Sequence, residues 1–354
     1  MNEVVEGGAA RKLVLDHGWN STCYQVLNPG IERWWSSDRH SMVGFVRSGG
    51  MAIVAGAPVC AAHRLEATLN EFGSYLRREH LQVCFFGAEG RLQSQLDRQG
   101  GTVSVVMGSQ PEWSPREFVE ALESDASLRA QLNRARNKGV VVTEWERERA
   151  ERHPGLEGVL HDWLASRGLP TLHFLVEPET LGDLRDRRVF VAERAGRPVG
   201  FVTLCPVPAR KGWLTEQFVR GPDAPNGTVE VMLYHAAQAV AHDGSDYLTM
   251  GIVPLVAPSG LGTDPVWLRV VRGWARAHYT RFYNFRGLSE FKSKFHPTTW
   301  QPVVVVVEGD RFTWRHLRAV VRAFTVGPPE FALVGGLVKA VRAELHAFVR
   351  WLRR

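Results

Sequence analysis

Two apolar runs, Ser41–Val46 and Met51–Ala57, flank Ser48-Gly49-Gly50 and predict a β-hairpin. Leu65, Leu69, Phe72 and Leu76 then recur at helical steps between Arg64 and about Glu79. Val83–Phe86 and Thr102–Met107 read as strands on either side of a helix over Arg91–Gln99. Ser114-Pro115 supplies a cap and a first-position proline, and predicts a helix running on to Gly139. The order then repeats. Gly155–Arg167 is helical, and Val189–Arg194 and Val199–Val207 form a hairpin across Ala195-Gly196-Arg197-Pro198. Trp213–Arg220 is a strand, Thr228–Ala241 a helix closed by Asp243-Gly244, Tyr247–Met250 a strand and Pro265–Ala277 a helix. Gln301–Val307 is expected to close the sheet.

The same alternation of strands and helices, met twice, predicts an α/β fold of two similar domains. Their expected bounds are 1–150 and 151–310, with a basic amphipathic helical tail over 311–354. Two segments make up that tail, Phe312–Phe324 and Phe331–Arg354, on either side of Gly327-Pro328-Pro329. In the second, Val334, Val338, Val341, Leu345, Phe348 and Leu352 form one apolar stripe. Lys339, Arg342, Arg350 and Trp351 are its candidate membrane contacts. A chain ending at Asp310 is expected to fold but to lose membrane binding.

Charge sharpens this picture. From Arg311 on, nine Lys/Arg face two Asp/Glu, whereas the other 310 residues carry 34 cations and 35 anions. The overall net charge of +6 is thus a property of the tail, which points to an anionic membrane or nucleic acid. With 44% apolar and 23% charged residues the chain is of ordinary globular composition. No apolar run reaches the roughly 18 residues of a membrane span, and Met1–Ala10 lacks the apolar centre of a secretory signal, so a cytoplasmic location is expected. The four cysteines are widely spaced and predict reduced, buried thiols. The histidines show no metal-ligand spacing, so no metal is expected.

The densest chemistry lies in Phe282-Tyr283-Asn284-Phe285-Arg286-Gly287-Leu288-Ser289-Glu290-Phe291-Lys292-Ser293-Lys294-Phe295, followed by Pro297. This stretch resembles the Tyr-x-Phe-x-Gly-Leu-x-x-Phe-Lys-x-Lys-Phe-x-Pro block of the phosphatidylglycerol lysyltransferase (multiple peptide resistance factor) catalytic domain. Glu216-Gln217-Phe218-Val219-Arg220, running into Asn226-Gly227-Thr228-Val229-Glu230, and Met250-Gly251-Ile252-Val253-Pro254-Leu255 are similar to two further blocks. The resemblance implies tandem acetyltransferase-like (dual GNAT) domains that move an amino acid from aminoacyl-tRNA to a lipid hydroxyl, such as that of phosphatidylglycerol. The membrane-embedded half of larger members has no counterpart in these residues, so synthesis without translocation is expected.

Such a transfer needs cations for an oxyanion and a lipid phosphate, and an acceptor for the α-ammonium. The catalytic candidates are Arg220, Glu230, Lys292, Lys294 and Tyr283, and the substrate-binding candidates are Glu216, Gln217, Arg286 and Asn226. Gln217 stands where the family places an acid. Glu216 is adjacent, and neighbouring residues of a regular strand point to opposite faces. Lys292 and Lys294, two apart, cannot share a helix face. Arg129, Arg134, Arg136 and Lys138 are candidates for tRNA phosphates, with a solvated helix face as the simpler alternative. A coenzyme A-dependent N-acyltransferase is the enzymatic alternative, and a non-catalytic tRNA- or membrane-binding protein the other. Pro222, Asp223 and Pro225 disfavour coenzyme A, because they remove amide donors and add an anion where a pyrophosphate would lie. No cofactor is expected.

Overall fold

The computed structural model describes residues 2–166, 172–254, 265, 267–269, 273 and 285–325, without the side chains of 2–5, 285 and 286. Its strands are β1 (Glu32–Trp35), β2 (Ser41–Ser48), β3 (Met51–Ala55), β4 (Val59–Cys60), β5 (Gln82–Ala88), β6 (Thr102–Trp113) and β7 (Val140–Trp145). They continue with β8 (Arg188–Arg194), β9 (Arg197–Val207), β10 (Gly212–Arg220), β11 (Tyr247–Thr249), β12 (Val253–Pro254) and β13 (Thr299–Glu308). The helices are α1 (Asn2–His17), α2 (Leu65–Arg78), α3 (Gly90–Gln99), α4 (Pro115–Ser124) and α5 (Ala126–Asn137). After these come α6 (Arg147–Ala150), α7 (Pro154–Ala165), α8 (Thr228–His242), α9 (Phe285–Ser293) and α10 (Trp314–Phe324).

The described strands form one sheet in the order β1-β2-β3-β5-β13-β6-β11-β10-β9-β8-β7, with β4 on β2 and β12 on β6. Sequence neighbours are therefore not always sheet neighbours. The valine-rich β13 does not close an edge; it lies between β5 and β6. Buried on both sides, it sends Val303, Val305 and Val307 into one core and Val304 and Val306 into another. Residues Val140–Trp145, which carry no strand expectation, form the opposite edge of the sheet against β8.

Four apolar clusters cover the sheet. One face is packed by α1 and α10, whose cluster runs from β2 across to Cys205, Val207 and Leu214, and is extended by α7. Behind β8–β10 the other face is packed by α4, α5 and α8. The single helix expected up to Gly139 is two. Asp125 adopts an extended conformation, and its carboxylate accepts from the Ser127 and Leu128 amides (2.8 and 2.9 Å), starting α5 afresh. Ser114 and Glu117 form the capping box of α4.

Two features of β10 prepare a site. It pairs with β11 only over Gly212–Leu214, while β9 accompanies it to Arg220, so the two parallel strands part beyond Leu214. The register against β9 also shifts between Thr215 and Gln217, making Glu216 a bulge residue.

Candidate active site

The bulge changes which residues share a face. Leu214 and Val219 both lie in clusters on the α1–α7 side, although five positions apart, and Trp213 and Phe218 likewise pack together on the α8 side. A regular strand would place each pair on opposite faces. The extra residue turns Glu216 and Gln217 to the same side, against the alternation expected from sequence. There Glu216 is taken up by Arg187: Nε donates to Oε2 at 2.6 Å, and Nη2 to Oε1 at 2.9 Å. Gln25 adds a third donor at 3.1 Å, and Glu216 and Arg187 are both almost fully buried. Gln217 accepts from the Thr180 hydroxyl (2.9 Å) and donates to the carbonyls of Pro178 (2.6 Å) and Glu177 (3.3 Å). Its amide fastens the 177–180 loop to the sheet, and both polarities of the amide are used.

On the α8 side the structure brings together residues far apart in sequence. Gly227 begins α8 with a φ of +93°, and a Cβ there would lie 2.0 Å from the Gln131 carbonyl, so only glycine lets α5 and α8 approach this closely. Glu230, in the first turn of α8, is buried and accepts a hydrogen bond from the Lys294 ammonium. Lys294 also donates to the Gln131 side chain of α5 at 3.3 Å. Its charge lies 4.3 Å from the Phe291 ring centroid and 5.1 Å from that of Phe295. Phe291 in turn stacks on Phe218 of β10, and Phe295 on Phe118 of α4. The cation is thus oriented by rings and by one carboxylate.

Lys292 goes elsewhere. As α9 ends, its side chain enters the protein and donates to the carbonyls of Met250 (2.7 Å), Gly251 (3.0 Å) and Ile252 (3.3 Å). These are the residues that follow β11 where it parts from β10. Burial lowers the Lys292 pKa to about 7, while three carbonyl acceptors match the three N–H groups of an ammonium. Arg220 is exposed at the end of β10, and its guanidinium reaches the Asn226 amide oxygen at 3.4 Å across the connecting loop. In that loop the amides of Gly221, Ala224 and Thr228 donate to the carbonyls of Val199, Gly221 and Pro225.

On α5, Leu128, Leu132 and Ala135 are buried while Arg129, Arg134, Arg136 and, just past its end, Lys138 are exposed. Arg129 caps the end of α4 through the carbonyls of Glu123 and Ser124 (both 2.7 Å), and Arg136 lies over Tyr234. Tyr283, the Arg286 side chain, Lys339, Arg342, Arg350, Trp351 and most of the Pro265–Ala277 segment lie outside the described residues. Sequence reasoning missed Gln25, Gln131, Thr180 and Arg187, none of which belongs to a motif. Among the described residues no group of three His, Cys, Asp or Glu is placed to hold a metal ion, and no helix is long and apolar enough to cross a membrane. The four cysteines are buried and unbridged.

Residues 11–307 match the family model described as phosphatidylglycerol lysyltransferase, C-terminal. The fold is similar to the C-terminal domain of a putative lysylphosphatidylglycerol synthetase from Agrobacterium fabrum, with a TM-score of 0.76 and 19% identity over 92% of this chain and 98% of that one. It is likewise similar to L-PGS from Bacillus licheniformis, with a TM-score of 0.74 and 18% identity over 89% and 95% of the two chains. An uncharacterized protein of Corynebacterium glutamicum is 21% identical over 76% of this chain, which spans about a third (35%) of that curated relative's length. The chain belongs to the phosphatidylglycerol lysyltransferase C-terminal family.

Proposed function

We propose that this protein transfers an amino acid from aminoacyl-tRNA to a hydroxyl of phosphatidylglycerol or a related anionic lipid, at the inner surface of the cell membrane. The observation that carries this reading is the Lys294–Glu230 pair, held between α5, α8 and the end of α9 beside the parting of β10 and β11. The acceptor oxygen attacks the aminoacyl ester carbon and its proton passes to Glu230. The oxyanion forms beside Lys294, and the ester bond to the tRNA ribose oxygen then breaks as Glu230 returns the proton to that oxygen. Arg220, steadied by Asn226, is a cation for a substrate phosphate. Lys292 holds the 250–252 turn in place and does not itself face substrate. The exposed arginines of α5 contact tRNA phosphates. We retain the division into two acetyltransferase-like halves as part of this proposal.

A coenzyme A reading is less well supported. Pro222 and Pro225 have no amide hydrogen, and three other loop amides are turned toward protein carbonyls, so few donors remain to cradle a pyrophosphate. The test is incubation with phosphatidylglycerol and a mixture of charged tRNAs, in parallel with acetyl-coenzyme A, followed by mass spectrometry of lipids and acylated products. Aminoacylated lipid supports the proposal; an acetylated product without aminoacyl lipid overturns it.

A further inference from the structure

Four large apolar side chains stand well exposed among the described residues: Val141, Val176, Trp314 and Val321. Three of them gather around α10. Trp314, 56% exposed, and Val321, 37% exposed, are two helical turns apart on its outer side. Val176 belongs to the turn beside its C-terminal end, where the His173 amide donates to the Phe324 carbonyl (3.1 Å) and Phe174 meets the Phe324 ring edge-on. The same outer side of α10 exposes Arg315, Arg318 and Arg322, and the helix contains no acidic residue. Its inner side is core, with His316, Leu317, Ala319 and Val320 buried. Burial of the inner side therefore fixes a tryptophan, a valine and three arginines outward.

We propose that this face, centred on Trp314, Arg315, Arg318, Val321 and Arg322, docks the protein on an anionic bilayer. Each alternative occupant conflicts with the composition of the face. A second copy would set like charge against like. The following residues, 326–354, carry five Lys/Arg against two Asp/Glu, a net charge of the same sign as that of the face. A nucleic acid would match the arginines but leave Trp314 and Val321 in water. A bilayer interface satisfies both kinds of residue: the indole sits among headgroups, the arginines meet phosphates and the valines enter the acyl boundary. The face lies across the sheet from α5 and from the Lys294–Glu230 pair. Docking thus leaves the α5 arginines accessible, and the acceptor headgroup must reach the pair past the parting of β10 and β11. The inference rests on the lipid-acceptor reading only in its choice of phosphatidylglycerol, and binding needs no turnover.

The experiment is cosedimentation of the full-length protein with phosphatidylcholine vesicles made with and without phosphatidylglycerol. Arg315→Glu/Arg322→Glu and, separately, Trp314→Ser are compared with wild type, with melting followed by circular dichroism. A basic residue at an anionic surface contributes about 1 kcal/mol, so the double reversal is expected to weaken partition at least about tenfold. Trp314→Ser is expected to weaken it several-fold, with melting unchanged in both variants and wild-type binding falling as salt rises. Wild-type partition in both variants, or loss of tRNA retention on filters in place of vesicle binding, would overturn the docking face. If vesicle binding behaves as expected but no aminoacyl lipid ever forms, the face stands and the transferase reading fails.

Discussion

Lys294 and Glu230 meet although 64 positions separate them, one just past the end of α9 and the other in the first turn of α8. Each alone has an ordinary structural reading, as a surface cation and as a carboxylate favoured by the helix dipole. Together, with Glu230 buried and Lys294 lying over two phenylalanine rings, they make an oriented charge beside the parting of two strands. Gln131 completes the arrangement from α5, the helix that carries the exposed arginines.

Lys292 gives stability a pH dependence. Its pKa falls from 10.5 to about 7 on burial. Between those values the unfolded chain holds a proton that the folded chain has released, so this group's contribution to stability rises with pH across that window. Below about pH 7 both states are protonated and the full cost of burial is present. Urea unfolding of wild type and Lys292→Met at pH 6, 7.5 and 9 should show wild type gaining on the variant above pH 7, by at most about 1.4 kcal/mol per pH unit. A difference that stays constant over this range would contradict the lowering of the Lys292 pKa by burial.

Gln217 tests the 177–180 loop. An acid at this position matches the family pattern but sets a carboxylate against the Pro178 and Glu177 carbonyls now served by the amide. We expect Gln217→Glu and Gln217→Asp to lose about 1–3 kcal/mol of stability, read by chemical denaturation. A changed choice of aminoacyl-tRNA is expected to accompany that loss. Unaltered stability would show that this amide does not hold the loop, and an unaltered amino-acid preference would remove the position from substrate reading.

The packing of α10 revises where the chain can be cut. Phe312, Leu317, Ala319 and Val320 are buried in the largest apolar cluster, so ending the chain at Asp310 removes part of the core. That form is expected to aggregate or melt well below wild type, since losing even one large core side chain costs about 2–5 kcal/mol. A chain ending at Thr325 keeps α10 and should melt well above the chain ending at Asp310. Equal melting of the two truncated forms would contradict the packing of α10.

Much of the architecture was legible in local patterns. The first hairpin, α2, α8 and the valine run of β13 all announce themselves through periodicity and turn residues. Sheet order did not, because the place of β13 between β5 and β6 depends on pairings made across the chain. The bulge at Glu216 has no signature in Thr215-Glu216-Gln217, yet it decides which way two candidate residues point. The motif marked Lys292 and Lys294 alike. Their separate tasks arise from backbone carbonyls in one case and a carboxylate on a distant helix in the other. Backbone acceptors leave no trace in a sequence, so the caging of Lys292 could be found only in three dimensions.

Transfer of a radiolabelled amino acid from charged tRNA to phosphatidylglycerol dispersed in detergent tests the Lys294–Glu230 pair directly. Wild type is compared with Lys294→Ala, Glu230→Gln and Arg220→Ala, and folding of each is checked by its melting curve. Labelled lipid is expected with wild type, and at least a tenfold fall in turnover for each variant, equivalent to about 1.4 kcal/mol of transition-state stabilisation. Arg220→Ala should melt as wild type, because its guanidinium is exposed and makes one long hydrogen bond. Labelled lipid formed at the wild-type rate by folded Lys294→Ala and Glu230→Gln would contradict the assignment of this pair as the chemical centre.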